Sequence, residues 1–366
     1  MRVAEAKGEN FQHRQFFAPE APPRIVLAPM EGVVDAMTRA VLTELGGVDL
    51  CLTEFIRVTT QLLPEHVFFK YAPELHTASR TAAGTPLLVQ LLGSDPNCLG
   101  ENAARAVELG AYGIDLNFGC PAKTVNRHDG GASLLKDPDR VAKAVYGVRS
   151  ALPGHVSVSA KVRLGFHDKT LHREIAQAAE SGGADWLTVH ARTRDEGYQP
   201  PAHWEFIASM REAVRLPVIA NGECWTPMDV ATMQQISGCR HVMLGRGLLA
   251  RPSLAREIRG GRELTWPEIL QLLRDFYTHS LQVRGEAFSS SRLKQWLRFM
   301  SRGSSAPTDA ACSSVTGTQQ LAREVFDLLK TLEPIRLGDF DSLTSSVKEV
   351  DPLLESLQTE AVHAVP

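Results

Sequence analysis

Eight short apolar runs, each followed by a stretch of helical composition, recur along this chain. That recurrence limits the folds open to it more than any other feature. The runs are RIVLAPM (24–30), DLCLTEF (49–55), PLLVQLLG (86–93), GIDLNFG (113–119), VSVSAKVRLG (156–165), DWLTVHA (185–191), PVIANGE (217–223) and HVMLGRG (241–247). Most read as continuous apolar runs rather than alternating ones, the pattern of parallel strands covered on both faces. Between them lie helical segments such as 97–111, 137–152 and 173–184, with Asp95-Pro96 ahead of one and Gly110 and Gly182 where two should end. Eight β-then-α units of this repeat length predict an α/β protein, a (β/α)8 TIM barrel over residues 23–260. A doubly wound open sheet is the runner-up, but no G-x-G-x-x-G follows the first run.

A chain of 366 residues, 43% of them hydrophobic, is long enough for this barrel and a smaller second unit. The net charge of −3 excludes a broadly basic nucleic-acid binder, so any contact with a polyanion must come from a local patch. Six scattered cysteines form no C-x-x-C pair, and twelve histidines show no H-E-x-x-H spacing. Neither a disulfide framework nor a metal site is expected. The polar first twenty residues and the absence of an 18-residue apolar run predict a cytoplasmic protein with no membrane partner.

After the eighth unit the composition changes, and residues 261–332 are expected to form a helical domain. It includes TWPEILQLLRDFYTHSLQ (265–282) and SRLKQWLRFMSR (291–302). Lys294, Arg298 and Arg302 recur at i, i+4 and i+8, one basic stripe, with Trp296 and Phe299 elsewhere on the helix. The stripe reads either as a solvated face or as a cationic wall for a phosphate backbone. Residues 303–319 read as a loop, 1–22 as an N-terminal extension and 333–366 as a tail, none with an assigned function.

In a barrel of this class active sites sit at the carboxyl ends of the strands. Every run here ends in polar or glycine-rich residues there, among them Met30-Glu31, Gln90, Lys161, His190 and Asn221-Gly222-Glu223. The fourth run ends on Cys120, held between Gly119 and Pro121 just past the strand, which aims its thiol at the pocket. Runs seven and eight finish in ANGE and LGRG, the place where this fold frequently holds a phosphate; Gly245 allows close approach and Arg246 offers a bidentate partner. Lys161 at mid-barrel requires an anionic partner, either a rim carboxylate such as Glu223 or the electron-rich edge of a reduced flavin. Gln90 could bond the polar rim of such a ring, and His190 could orient the phosphate or substrate.

The motifs APMEGV (28–33), LNFGCPAKTV (116–125), GGASLLKDP (130–138), KVRLG (161–165), VHART (189–193), IANGE (219–223) and LGRG (244–247) resemble those of tRNA-dihydrouridine synthases. The resemblance runs in order over about residues 23–300. TEFIRV (53–58) and RLKQWL (292–297) look like the bacterial branch that modifies uridine 16 of the tRNA D-loop. The resemblance implies FMN on Pro29, Met30, Glu31, Gln90, Lys161, His190, Asn221, Gly222, Glu223, Gly245 and Arg246, with NADPH or NADH as electron donor. It implies Cys120 as the proton donor at carbon 5 of a flipped-out uracil, opposite hydride delivery at carbon 6. Arg57, Asn117, Tyr198, Arg292, Lys294 and Phe299 match positions this branch uses on tRNA; Phe299 stands where a tyrosine is expected and cannot donate a hydroxyl hydrogen bond. The alternatives are a synthase acting at another D-loop position, or a flavin barrel acting on a free pyrimidine.

Overall fold

The structure is a computed structural model and describes residues 16–302, apart from 19 and 128, together with parts of 322–340. Among the described residues nine strands follow one another: β1 (Ile25–Leu27), β2 (Leu50–Leu52), β3 (Ile56–Arg57), β4 (Leu87–Leu92), β5 (Gly113–Phe118), β6 (Ser157–Arg163), β7 (Trp186–His190), β8 (Val218–Asn221) and β9 (His241–Leu244). All pair in parallel, and contact of β2 with β4 closes eight of them into the expected barrel. The run read as one strand at 49–55 is two. Thr53 accepts the amide hydrogen of Gln90 on its own hydroxyl oxygen (2.9 Å), the strand breaks, and β3 resumes pairing higher on β4.

The helices start where the sequence places their caps. Asp95 accepts from Cys98 N ahead of helix Pro96–Glu108, and Asp137 from Asp139 N ahead of helix Pro138–Ala151. Gly110, at φ +101°, follows the first of these and supplies the left-handed turn back into β5.

The strands are less uniformly apolar than their composition suggests. In β5 and β6 the outward residues Ile114, Leu116, Phe118, Val158, Ala160 and Val162 are buried in the main core beneath the helices. Their inward neighbours are Asp115, Asn117, Ser159, Lys161 and Arg163. The barrel interior is therefore graded. An apolar cluster that includes Val26, Leu50, Leu88, Trp186 and Ile219 fills the lower end, and polar side chains occupy the upper end.

Phe17, from the segment expected as an extension, belongs to that lower cluster. It is 1% exposed, with its ring 4.9 Å from Trp186 and 5.1 Å from His241, the first residues of β7 and β9. Phe17 thus closes the bottom of the barrel.

Helices Trp266–Arg284 and Glu286–Arg302 pack together through Phe276 and Trp296, ring centroids 4.8 Å apart. Trp296 also donates its indole N–H to Leu249 O (3.0 Å), which seats the pair against helix Arg246–Ala250. The second helix starts five residues earlier than the run at 291 suggests, directly after Gly285. Ile335 and Phe340, expected in the tail, are buried, and the Phe340 ring lies 5.7 Å from that of Tyr277. Packing thus continues beyond 332, while the loop expected at 303–319 lies outside the described residues. No described helix is long and apolar enough to cross a membrane.

Phe17→Ala should lower unfolding stability by about 3 kcal/mol in urea titration, the usual cost of emptying a buried aromatic site. A loss below about 0.5 kcal/mol, the scale of a surface change, would show that the segment is not part of the barrel.

Candidate active site

A cavity of about 730 Å³ opens at the carboxyl ends of the strands. Cys120 lines it, and so do Pro29, Met30, Glu31, Gln90, Lys161, His190, Asn221, Gly222, Glu223, Gly245 and Arg246. The sequence scatters these residues over more than 200 positions; barrel closure brings them to one rim.

Cys120 is 8% exposed, set on the apolar side of the cavity with Phe55, Leu92 and Val125. Its backbone is tightly held. Asn126 Nδ2 donates to Cys120 O (3.0 Å), and Arg163 Nε donates to the carbonyl of Gly119 (2.7 Å). Gly131, at φ +60°, lies so close that a Cβ there would stand 3.2 Å from that of Cys120. This gives the GGAS motif a steric role behind the thiol. Burial pushes the thiol pKa above its ordinary value; a backbone N–H from Ala122, Arg163 and Arg57 oppose that and Glu31 adds to it. The group is therefore a neutral S–H at pH 7, suited to donate a proton and a poor nucleophile.

Lys161 does not pair with Glu223. Its ammonium donates to Asn221 Oδ1 (3.3 Å), and Asn221 in turn donates Nδ2 to Met243 O (2.7 Å). Burial and the neighbouring Arg163 push Lys161 down to about 8, against the pull of Asp115. Glu223 instead forms an ion pair with Arg192, stands 4.0 Å from Arg246, and accepts from the indole of Trp225 (3.1 Å). His190 is held neutral, its pKa driven well below 6.5 by burial and then by Arg163, Lys161, Arg192 and Arg246. A Cβ on Gly222, at φ +129°, would come within 3.1 Å of its ring. Gly222 is therefore required twice over, by conformation and by space. Lys123, Lys161, Arg163 and Arg246 outnumber the carboxylates Glu31 and Glu223 among the lining residues, the environment of an anionic ligand.

Residues 26–298 match the family model described as Dihydrouridine synthase (Dus). The chain belongs to the dihydrouridine synthase family. It is 51% identical over 285 residues to the tRNA-dihydrouridine(16) synthase of Pseudomonas syringae pv. tomato, covering 76% of this chain and 90% of that one. Identity to the protein of the same name from Aquipseudomonas alcaligenes is 52%, with the same coverage. For that of Shewanella oneidensis it is 47% over 280 residues, 76% of this chain and 89% of the relative.

Against this dihydrouridine synthase frame, the residues expected on tRNA divide. Asn117, Tyr198 and Phe299 line the cavity, and Tyr198 is 52% exposed at its mouth with Arg163 and Arg246 against its ring. Arg57 is exposed at the end of β3, and Arg298 is exposed on the C-terminal helix with Lys294 partly so. Arg292 is placed differently. It is 8% exposed and turned toward the barrel, where it donates to Gly32 O (2.7 Å), Val33 O (2.6 Å) and Thr38 Oγ1 (3.0 Å) and pairs with Asp35 (3.2 Å). Two positions along a helix from Lys294, it cannot share that residue's face. The helical unit thereby grips the loop that carries Pro29–Glu31.

Sequence reading did not assign roles to Trp225, Asn126 or Asp115. Asp115 had a signal: a carboxylate two residues before Asn117 in an apolar strand must point to the same inner side. Among the described residues, no three His, Cys, Asp or Glu side chains are grouped to hold a metal.

Because the thiol is held neutral, iodoacetamide alkylation of Cys120, followed by peptide mass spectrometry, should be slow at pH 8. It should rise only above the ordinary thiol range of about 8.5. A midpoint below pH 7.5 would contradict a thiol held neutral at pH 7.

Proposed function

We propose that this chain reduces the 5,6 double bond of uridine 16 in the tRNA D-loop, with FMN in the barrel cavity, NADPH or NADH as electron donor and Cys120 as the acid. The observation that carries the reading is a neutral thiol and an ammonium, Cys120 and Lys161, on the walls of one cavity. Membership of the dihydrouridine synthase family supports the reaction, and the names of the relatives support position 16.

The residues present fit an FMN. Among the described residues Lys161 has no carboxylate in ion-pair contact, and it turns to the amide of Asn221, which leaves its charge for a ligand. Glycine at 245 keeps the cavity open, since a Cβ there would meet Ala28 at 3.3 Å and Met30 sulfur at 3.5 Å. Arg246, beside Glu223, is the partner suited to a phosphate group. Bound there, FMN supplies the hydride for carbon 6 of the uracil.

The chain's own groups do the rest. Cys120 Sγ holds the proton for carbon 5, and its raised pKa keeps that proton in place until the base takes it up. Asn117, on the rim beneath Cys120, can bond the uracil edge. Lys161 offsets negative charge near the cavity floor. A base stacked inside tRNA must leave its stack to enter, at a cost of a few kcal/mol. Tyr198 and Phe299 at the mouth offer stacking partners that return part of it. Lys294 and Arg298 supply a local basic face on a chain of net charge −3. The nicotinamide is proposed to use the same cavity in turn, giving ping-pong kinetics.

The test is single-turnover reduction of unmodified tRNA by the yellow, FMN-loaded enzyme. Cys120→Ser should retain FMN and lose most turnover, and Cys120→Ala should lose about 10²- to 10⁴-fold, the usual worth of a positioned proton donor. Full activity in the alanine variant rules out the acid.

Neutralising Lys294 and Arg298 together should weaken tRNA binding without changing FMN content. The slope of log affinity against log salt should flatten by about 1.5, two phosphate contacts' worth. Unchanged affinity at every salt concentration would remove this helix from the docking surface.

A further inference from the structure

Asp115 lies inside the barrel with no exposure, one register step below the cavity floor. Its Oδ1 accepts from Ser159 Oγ (2.5 Å) and its Oδ2 from Gln90 Nε2 (2.7 Å). Gln90 Oε1 then accepts from Asn117 Nδ2 (2.9 Å), and Asn117 Oδ1 accepts from the backbone N–H of Gly119 (2.9 Å). Gly119 precedes Cys120.

The direction of this chain is determined from its two ends. A carboxylate only accepts hydrogen bonds, and a backbone N–H only donates. With Asp115 below and Gly119 N above, each amide has one orientation that satisfies every link. Turning Gln90 over would set its oxygen against the carboxylate and its NH2 against that of Asn117. The first failure would be fully buried and the second partly so, and neither is compensated.

We propose that Asp115 is a positioning residue: through Gln90 and Asn117 it sets the donor and acceptor pattern of the cavity floor and anchors the turn that aims Cys120. The proposal rests on the reading of the cavity as an FMN site for what the Gln90 edge meets. Its second half, the anchoring of Cys120, does not need that reading. Ser159 serves as the internal control, because it bonds the same carboxylate but touches neither amide.

The experiment compares wild type, Asp115→Ala and Ser159→Ala as full-length protein. Three quantities are read: FMN affinity of the apoprotein, the visible absorption of bound FMN, and the alkylation rate of Cys120 by peptide mapping. Asp115→Ala should weaken FMN about tenfold, the worth of one hydrogen bond to a charged group. It should also shift the fine structure of the flavin bands and speed Cys120 alkylation severalfold. Ser159→Ala should leave all three within about twofold while lowering the melting temperature by a few degrees. If Asp115→Ala does not fold, Asp115→Ser takes its place, since its hydroxyl is too short to reach Gln90.

Equal effects of the two substitutions, or none from either, overturn the proposal and leave Asp115 as a buried polar group of no special consequence. If wild type takes up no FMN, the cofactor reading fails instead. Accelerated Cys120 alkylation in the Asp115 variant then still supports the anchoring role, and an unchanged rate overturns it.

Discussion

A closed eight-stranded barrel has an interior just wide enough for side chains, so a polar group that points inward is costly unless it finds a partner there. Much of this protein follows from that constraint. Inward-facing Gln90, Asp115, Asn117, Ser159, Lys161 and Asn221 form two short hydrogen-bonded sets, one leading up to Gly119 and the other to Met243 O. Unpaired, each would cost a kilocalorie or more. Paired, they hold the upper barrel in one arrangement and leave the Lys161 ammonium turned toward the cavity.

The grading of the interior separates stability from chemistry. Its lower half is mostly apolar and closed by Phe17, with Trp186 in the same cluster. The outer faces of β5 and β6 add aliphatic residues to the larger core under the helices. The upper half can then carry groups whose burial is unfavourable in itself, including a lysine held at about 8, a histidine kept neutral and a carboxyl raised to about 6 by burial. Perturbed groups that converge on one cavity, here Cys120, Lys161 and His190, are a common mark of a working site. Arg292 extends the arrangement outward, since the helical unit it belongs to also braces the first strand-to-helix loop.

Much of this was readable from the chain alone. The eight runs and their helices gave the barrel, and polar endings on every run gave the rim. Gly119-Cys120-Pro121 indicated a thiol aimed at the site. What was hard to read involved side chains with two plausible partners. Glu223 was a candidate for Lys161, yet it pairs with Arg192. Arg292 and Lys294 looked alike as cations near a docking face, and only helix phase and the position of the Gly32 and Val33 carbonyls separate them. The second strand broke because a threonine hydroxyl replaced a ladder acceptor, an event that leaves no trace in hydrophobic pattern.

The sequence by itself determined the architecture, the residues at the strand ends and the family, because strand period, caps and ordered motifs are local and survive being read one at a time. Tertiary structure decided which donor meets which acceptor: that Lys161 turns to Asn221, that Arg292 faces the barrel, and that Asp115 stands at the root of the amides beneath Cys120. Hydrogen bonds and ion pairs join residues far apart in the chain within a fraction of an ångström. Their choice is settled only when barrel closure sets the distances.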